Sequence, residues 1–263
     1  MPYLAGISFY PIKALDPAFA TEIEISRGGT LQHDREFAMV DAGEKFVNGK
    51  RNEKVYLLRS TFALQRRRIT LQVQGEAEQH AFHLDKDREK LESWLSNYFG
   101  MPVTLRHNAE HGFPDDTKAS GPTVISTGTL KAVAGWFPGL KPEDVWRRFR
   151  PNLVLGGCEA FWEERLYAGA EQSVSFRIGA VRFEGLQPCP RCTVPKHHPL
   201  SGERLPDFSR TFLEQRKATL PAWAERTRFD HFYRLAINTR IPPSEAGKEL
   251  KIGDEVKVEL PTT

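Results

Sequence analysis

Cysteine is scarce: only three in 263 residues, at Cys158, Cys189 and Cys192. An odd, low number cannot build a disulfide framework and fits a reducing compartment. Charge of one sign is also lacking, since Lys and Arg number 37 against 34 for Asp and Glu. That excess is far from the dense basic face of a phosphate-backbone binder, so no nucleic-acid partner is expected, although a small anion is easily accommodated. Nowhere do about 18 apolar residues follow one another. Met1-Pro2-Tyr3-Leu4-Ala5-Gly6 has no basic flank of the kind that opens a secretory leader. No membrane association and a cytoplasmic location are therefore expected. Internal repeats and low-complexity tracts are missing too.

What is present is a globular composition, 40% hydrophobic and 27% charged, enough for one large domain or two modest ones. Most of the periodicity is that of strands. Leu4 to Ile12, Thr21 to Ile25, Arg68 to Val73, Asn152 to Leu155, Val174 to Ile178, Ala180 to Glu184, His231 to Asn238 and Glu255 to Leu260 all read as extended. Glu36 to Val40 and Lys45 to Val47 flank Asp41-Ala42-Gly43 and predict a hairpin. The period then changes. Leu91, Trp94, Leu95, Tyr98 and Phe99, with Asp85 ahead and Gly100 behind, predict an amphipathic helix with a cap and a stop. A second helix is expected after the hydroxyl caps Ser126-Thr127, and a third with Pro142 in its first turn.

Between these parts, His107 to Pro122 mixes Asn, Gly, Pro, Asp, Thr and Ser with few apolar anchors. The chain therefore divides into residues 1–107, a linking loop 108–121, and residues 122–263. The fold expected is mainly β with several helices, an α+β chain.

The chemistry centres on Cys189-Pro190-Arg191-Cys192. A C-x-x-C pair can be a disulfide switch, half of a zinc site, or a place where one thiolate ligates a heavier metal. A thioredoxin-like motif should open a helix after a strand, which Pro188, Pro190 and Pro195 oppose. Zinc held by Cys189, Cys192, His197 and His198 would need two adjacent histidines to replace the usual spaced pair.

Further motifs carry a resemblance. Arg148-Phe149-Arg150-Pro151-Asn152-Leu153-Val154, Gly157-Cys158, Trp162-Glu163, Cys189-Pro190-Arg191-Cys192 and Lys251-Ile252-Gly253-Asp254-Glu255-Val256 resemble the MOSC domain of molybdenum-cofactor proteins. Tyr10-Pro11-Ile12-Lys13 and His33-Asp34-Arg35-Glu36-Phe37 resemble the β-barrel domain that precedes it in the amidoxime-reducing enzymes and their bacterial relatives. The resemblance spans nearly the whole chain and implies an N-terminal β-barrel-like domain followed by a MOSC β-barrel domain.

It implies a site as well. Cys192 would be the catalytic thiolate and the molybdenum ligand, a soft donor for a soft metal. Arg191, Lys13, Arg35 and Arg150, with the amide of Asn152 and a helix start at Ser126 and Thr127, would bind the molybdopterin and its terminal phosphate. Cys158 reads as a small buried hydrophobe, and Cys189 as a neighbour. The chain departs from the family at Ala14, Pro190 and Pro195-Lys196-His197-His198, where relatives often carry hydroxyls or a Thr-Thr-Val-Asp run. No iron–sulfur cysteines follow. The implied function is a pyridoxal-phosphate-independent molybdenum oxidoreductase that reduces small N-hydroxylated substrates, with electrons from a separate flavoprotein or ferredoxin- or cytochrome-type donor. The alternative is a sulfur carrier in which Cys192 bears a persulfide for metallocofactor sulfuration.

Overall fold

The computed structural model of the chain describes residues 1–259. The first half holds β1 (Tyr3–Phe9), β2 (Ala18–Ala20), β3 (Glu22–Glu24), β4 (Phe37–Asp41), β5 (Leu58–Ala63), β6 (Arg68–Val73), β7 (Gln79–His83), α1 (Arg88–Phe99) and β8 (Val103–His107). The second holds β9 (Val124–Ser126), α2 (Thr127–Ala134), α3 (Pro142–Phe149), β10 (Leu153–Gly156), β11 (Val174–Ile178), β12 (Val181–Pro190), α4 (Phe208–Ala218), β13 (Arg234–Arg240), β14 (Glu249–Lys251) and β15 (Val256–Val258). The chain is thus mainly β with helices, the α+β class read from its periodicity.

One eight-stranded sheet dominates, in the order β15-β11-β12-β13-β9-β10-β1-β2. The strand that opens the chain lies inside it, antiparallel to both β10 and β2. Among the described residues no continuous ladder closes a sheet into a barrel. The flanks of the large sheet nevertheless meet, as the coiling of a twisted sheet favours. Tyr3 bridges Glu255, Leu4 N donates to Asp254 O (2.8 Å), and Val256 N donates to Pro2 O (2.9 Å).

Three apolar cores follow from the alternation of side chains. Leu4, Ile7, Leu153, Leu155, Phe176, Phe183 and Ile237 fill the inner face of the large sheet. Phe37, Leu58, Ile69, Leu71, Leu91 and Leu95 join α1 to the smaller sheets of the first half. Val133, Val145, Phe149, Phe208 and Phe212 join α2, α3 and α4. Truncating a buried leucine such as Leu95 to alanine would cost about 2–5 kcal/mol.

The structure departs from the sequence reading in several places. Asp87, not Asp85, precedes α1, because the Asp85 carboxylate is engaged by Arg67 at 2.8–2.9 Å. The expected hairpin forms, through the Val40–Phe46 bridge and bonds from Asp41 N to Lys45 O (3.0 Å) and Val47 N to Met39 O (2.9 Å), but β4 makes its longer ladder with β8. Val103 and Leu105 give β4 a longer apolar partner than Lys45 to Val47 could. α4 was not legible, since its buried stripe Phe208, Phe212, Arg216 ends in a cation. The strand expected to reach Leu260 runs to Val258, and Leu260 lies outside the described residues.

One irregularity positions the site. β12 shifts register against β13 between Gly185 and Gln187 and again between Pro188 and Pro190. Prolines cannot donate to a ladder and are tolerated at bulges. The strand thus ends at Pro190, with Cys189 on its last turn of pleat and Cys192 just beyond.

Candidate functional site: a cationic thiol cleft

A cleft of about 360 Å³ lies where the loop after β1, the turn before β4, the C-terminus of α3 and the end of β12 converge. Of the residues expected from sequence, Lys13, Arg35, Arg150, Asn152, Arg191 and Cys192 line it, together with Cys189. Both cysteines are free and half-buried. Eight Lys and Arg side chains line the cleft against four Asp and no Glu.

Local backbone geometry aims the arginines. α3 stops at Arg150, which takes the left-handed conformation (φ 52°) while its N–H caps Trp146 O at 2.7 Å. Arg35 is left-handed too (φ 52°), with its N–H on Tyr10 O at 2.7 Å. Glycine is the usual residue there, and an L side chain costs roughly 1–2 kcal/mol. Such strain concentrates at functional sites. The two guanidiniums share the ring of Tyr10, Arg150 at 4.0 Å and Arg35 at 5.5 Å from its centroid. Arg35 is ion-paired with Asp34, and Arg150 donates to Leu15 O at 2.6 Å.

Arg191 donates to Cys189 Sγ at 3.1 Å and to Phe149 O. Arg148, 3% exposed, donates to Pro195 O (3.0 Å) and His197 O (2.8 Å). Arg148, Arg150 and Arg191 thus bind neutral carbonyl or sulfur atoms, and none is ion-paired among the described residues. Burial pushes the Arg148 and Arg150 side chains below the ordinary arginine range, the signature of cations held without a counter-charge in contact. The Nε atoms of Arg59, Arg148 and Arg191 are buried with no partner among the described residues. Lys13 is 6% exposed; burial lowers its pKa, and Asp115 at 2.8 Å works the other way. Its ammonium also donates to Phe113 O at 2.8 Å.

Tyr56 and His197 form another wall, rings stacked 5.2 Å apart, with Tyr56 OH donating to Gly49 O at 3.0 Å. Burial, with Cys192 adding to it, pushes the Tyr56 phenol up to about 12. Tyr10 lies in a motif read from the sequence and His197 in a run read as a departure, but Tyr56, Arg59 and Asp115 carry no sequence signal that would have marked them.

Other expected residues lie elsewhere or are engaged within the fold. Ser126 and Thr127 do not line the cleft. Ser126 is fully buried and caps α2, accepting from Thr129 N at 3.0 Å, so the helix start is used internally. Asn152 borders the cleft, but its carboxamide accepts from Thr123 N (3.2 Å) and donates to Ser8 O (3.1 Å), tying β10 to its neighbours. Cys158 packs against the main core, and burial pushes its thiol up to about 11. The four-ligand zinc arrangement does not form: no group of three or more His, Cys, Asp or Glu is placed to hold a metal among the described residues. His197 Nδ1 is bonded to Gly202 O at 2.9 Å, and His198 Nδ1 to the 200–201 turn. Among the described residues no helix is long and apolar enough to cross a membrane.

A β-rich chain whose opening strand is built into a second-half sheet, with a thiol among cations where the halves meet, defines a recognisable class. Residues 119–257 match the MOSC domain and residues 1–102 the MOSC N-terminal beta barrel domain. The chain belongs to the MOSC family. It is similar to the molybdenum cofactor sulfurase of Bos taurus, 24% identical over 264 residues, 81% of this chain and 29% of that protein. The Homo sapiens protein of the same name is 23% identical over 236 residues, covering 72% and 26%. The one from Drosophila yakuba is 25% identical over 293 residues, covering 98% and 35%. The chain spans about a third or less of the length of these curated relatives.

Proposed function

We propose that this chain binds the molybdenum cofactor in the cleft, with Cys192 as the protein ligand of the metal, and reduces small N-hydroxylated compounds with electrons from a separate flavoprotein, ferredoxin- or cytochrome-type donor. The observation that carries the reading is a half-buried thiol in one cleft with three arginines that have no carboxylate partner among the described residues. The residues fit the group. A pterin dithiolene with a terminal phosphate needs a soft metal donor and fixed donors for an anion, and thiolate and guanidinium supply these. Partnerless buried Nε atoms at Arg59, Arg148 and Arg191 mark a lining not satisfied by the chain alone.

Bound there, the cofactor supplies two-electron reduction of an N–O bond, which with two protons yields amine and water. The chain's own work is binding and orientation. Arg150 and Arg35, braced on Tyr10, hold negative charge; the buried Lys13 adds to it; Tyr56 and His197 form an aromatic wall of the same cleft as Cys192. The same proposal assigns residues 1–107 and 122–263 to two domains that supply facing walls, joined by 108–121.

The test is metal, pterin and sulfane-sulfur analysis of protein purified from a host that makes the cofactor, then assay with an amidoxime and a chemical reductant. Molybdenum and pterin near one per chain, with turnover, are expected. Protein free of both metal and pterin sinks the reading. A sulfur carrier is the second reading, favoured by two sulfurs in one cleft and by relatives named as sulfurases. It requires sulfane sulfur on Cys192 in protein without metal.

A further inference from the structure

The proposed cofactor site leaves unused a pair of acids on the segment that joins the two halves. That segment is fastened at both ends. Gly112 N donates to Asn108 O (3.1 Å) and Phe113 N to Arg35 O (2.9 Å). Gly112 (φ +60°) sits so close that a Cβ would lie 2.6 Å from Asp34 O. At the far end Gly121 N donates to Thr239 O at 3.0 Å, and Ala119 is buried. Between these anchors, residues 114–118 make no backbone hydrogen bond to the body of the protein among the described residues. Two side-chain contacts hold them: Lys13 Nζ to Asp115 Oδ1 at 2.8 Å, and Gln187 Nε2 to Asp116 Oδ2 at 3.3 Å.

We propose that Asp115 is an internal anion. Its carboxylate occupies a seat formed by Lys13, with Arg35 and Lys50 behind, that an anionic group of the ligand takes on binding. Entry of that group releases the 114–118 strap, so Asp115 sets how much charge a ligand needs to enter. The proposal rests on the cleft being a site for an anionic ligand.

Three observations carry it. Lys13 is 6% exposed whereas the Asp115 side chain is 71% exposed, so the cation is built into the body and the anion faces solvent. Arg35 and Lys50 direct further positive field at Asp115, and all four residues line the cleft. Against desolvation, Lys13, Arg35 and Lys50 hold the Asp115 carboxyl down at about 2, so it is an anion at neutral pH, and a phosphate, with more charge and more acceptor oxygens, competes for the same ammonium.

The test uses the full chain, inorganic phosphate as probe, and sodium chloride at equal ionic strength as control. By titration calorimetry Asp115→Asn should bind phosphate about tenfold more tightly than the parent, and Lys13→Ala about tenfold more weakly, the scale of one charge-assisted contact. Limited trypsin cleavage after Lys118 should quicken with phosphate in the parent and be fast without it in Asp115→Asn. Equal or weaker phosphate affinity in Asp115→Asn, or no phosphate binding by either protein, overturns the proposal. Tighter binding with unchanged cleavage overturns the release of the strap. Cofactor content is measured separately, so a parent that carries molybdenum while Asp115→Asn gains nothing overturns this inference and leaves the cofactor reading standing.

Discussion

Arg191 donates to the sulfur of Cys189 at 3.1 Å, and no hydrogen bond joins it to Cys192 among the described residues. The cation between the two cysteines therefore serves the first and leaves the second open to the cleft. The thiols are chemically distinct although three residues apart.

Cys192→Ala should abolish molybdenum retention while leaving the fold nearly intact, because a half-buried cleft residue contributes little to the core. Cys189→Ala should be much milder, since Arg191 keeps its bond to Phe149 O. Molybdenum and pterin per chain, with thermal melting as the fold control, measure this. Equal loss in both variants would point to a dithiol mechanism.

Arg150→Ala and Lys13→Ala should each lower cofactor occupancy without unfolding the protein. A charge-assisted hydrogen bond contributes on the order of 1.5–3 kcal/mol, so each loss weakens binding roughly ten- to a hundredfold. Arg150→Lys should recover only part, because the planar fork that stacks on Tyr10 is gone. Added salt should weaken the variants more than the parent. Full pterin occupancy in both alanine variants would make these residues ordinary charges.

Glu36 gives the fold an acid-sensitive point. Burial would raise its carboxyl, but bonds from His33, Arg67 and His107 overcome this and hold it at about 2 instead of 4.5. A depressed acid stabilises fully above the unfolded value and loses its contribution as pH falls through the folded one. The contribution is about 3 kcal/mol at neutral pH, disappearing between pH 4.5 and 2. Glu36→Gln should therefore be less stable than the parent in urea at pH 7, with the gap narrowing at pH 4 and again at pH 3. A gap independent of pH would refute the assignment.

Arg216 is fully buried, paired with Glu164, and lies 4.6 Å and 4.9 Å from the rings of Phe161 and Phe229. Removing one partner strands a buried charge, so Arg216→Met should cost about 3–5 kcal/mol. Adding Glu164→Gln to it should cost less than the two single changes together. Strict additivity in denaturant melts would show that the pair is not coupled.

Strand periods, the helix stop at Gly100, the Ser126 cap and Pro142 in the first turn of α3 were all legible in the sequence, because each depends on neighbours in the chain. So was the set of cleft residues Lys13, Arg35, Arg150, Arg191 and Cys192, through short motifs whose order survives without coordinates. Tertiary structure alone decided the rest. It placed β1 inside the second-half sheet, turned Ser126 and Asn152 to internal hydrogen bonds, gave Arg191 to Cys189, and set Asp115 against Lys13 across about a hundred residues of chain. Hydrogen bonds and ion pairs between distant segments depend on how whole sheets pack and twist. No local period or propensity encodes which donor a side chain meets once the chain has closed.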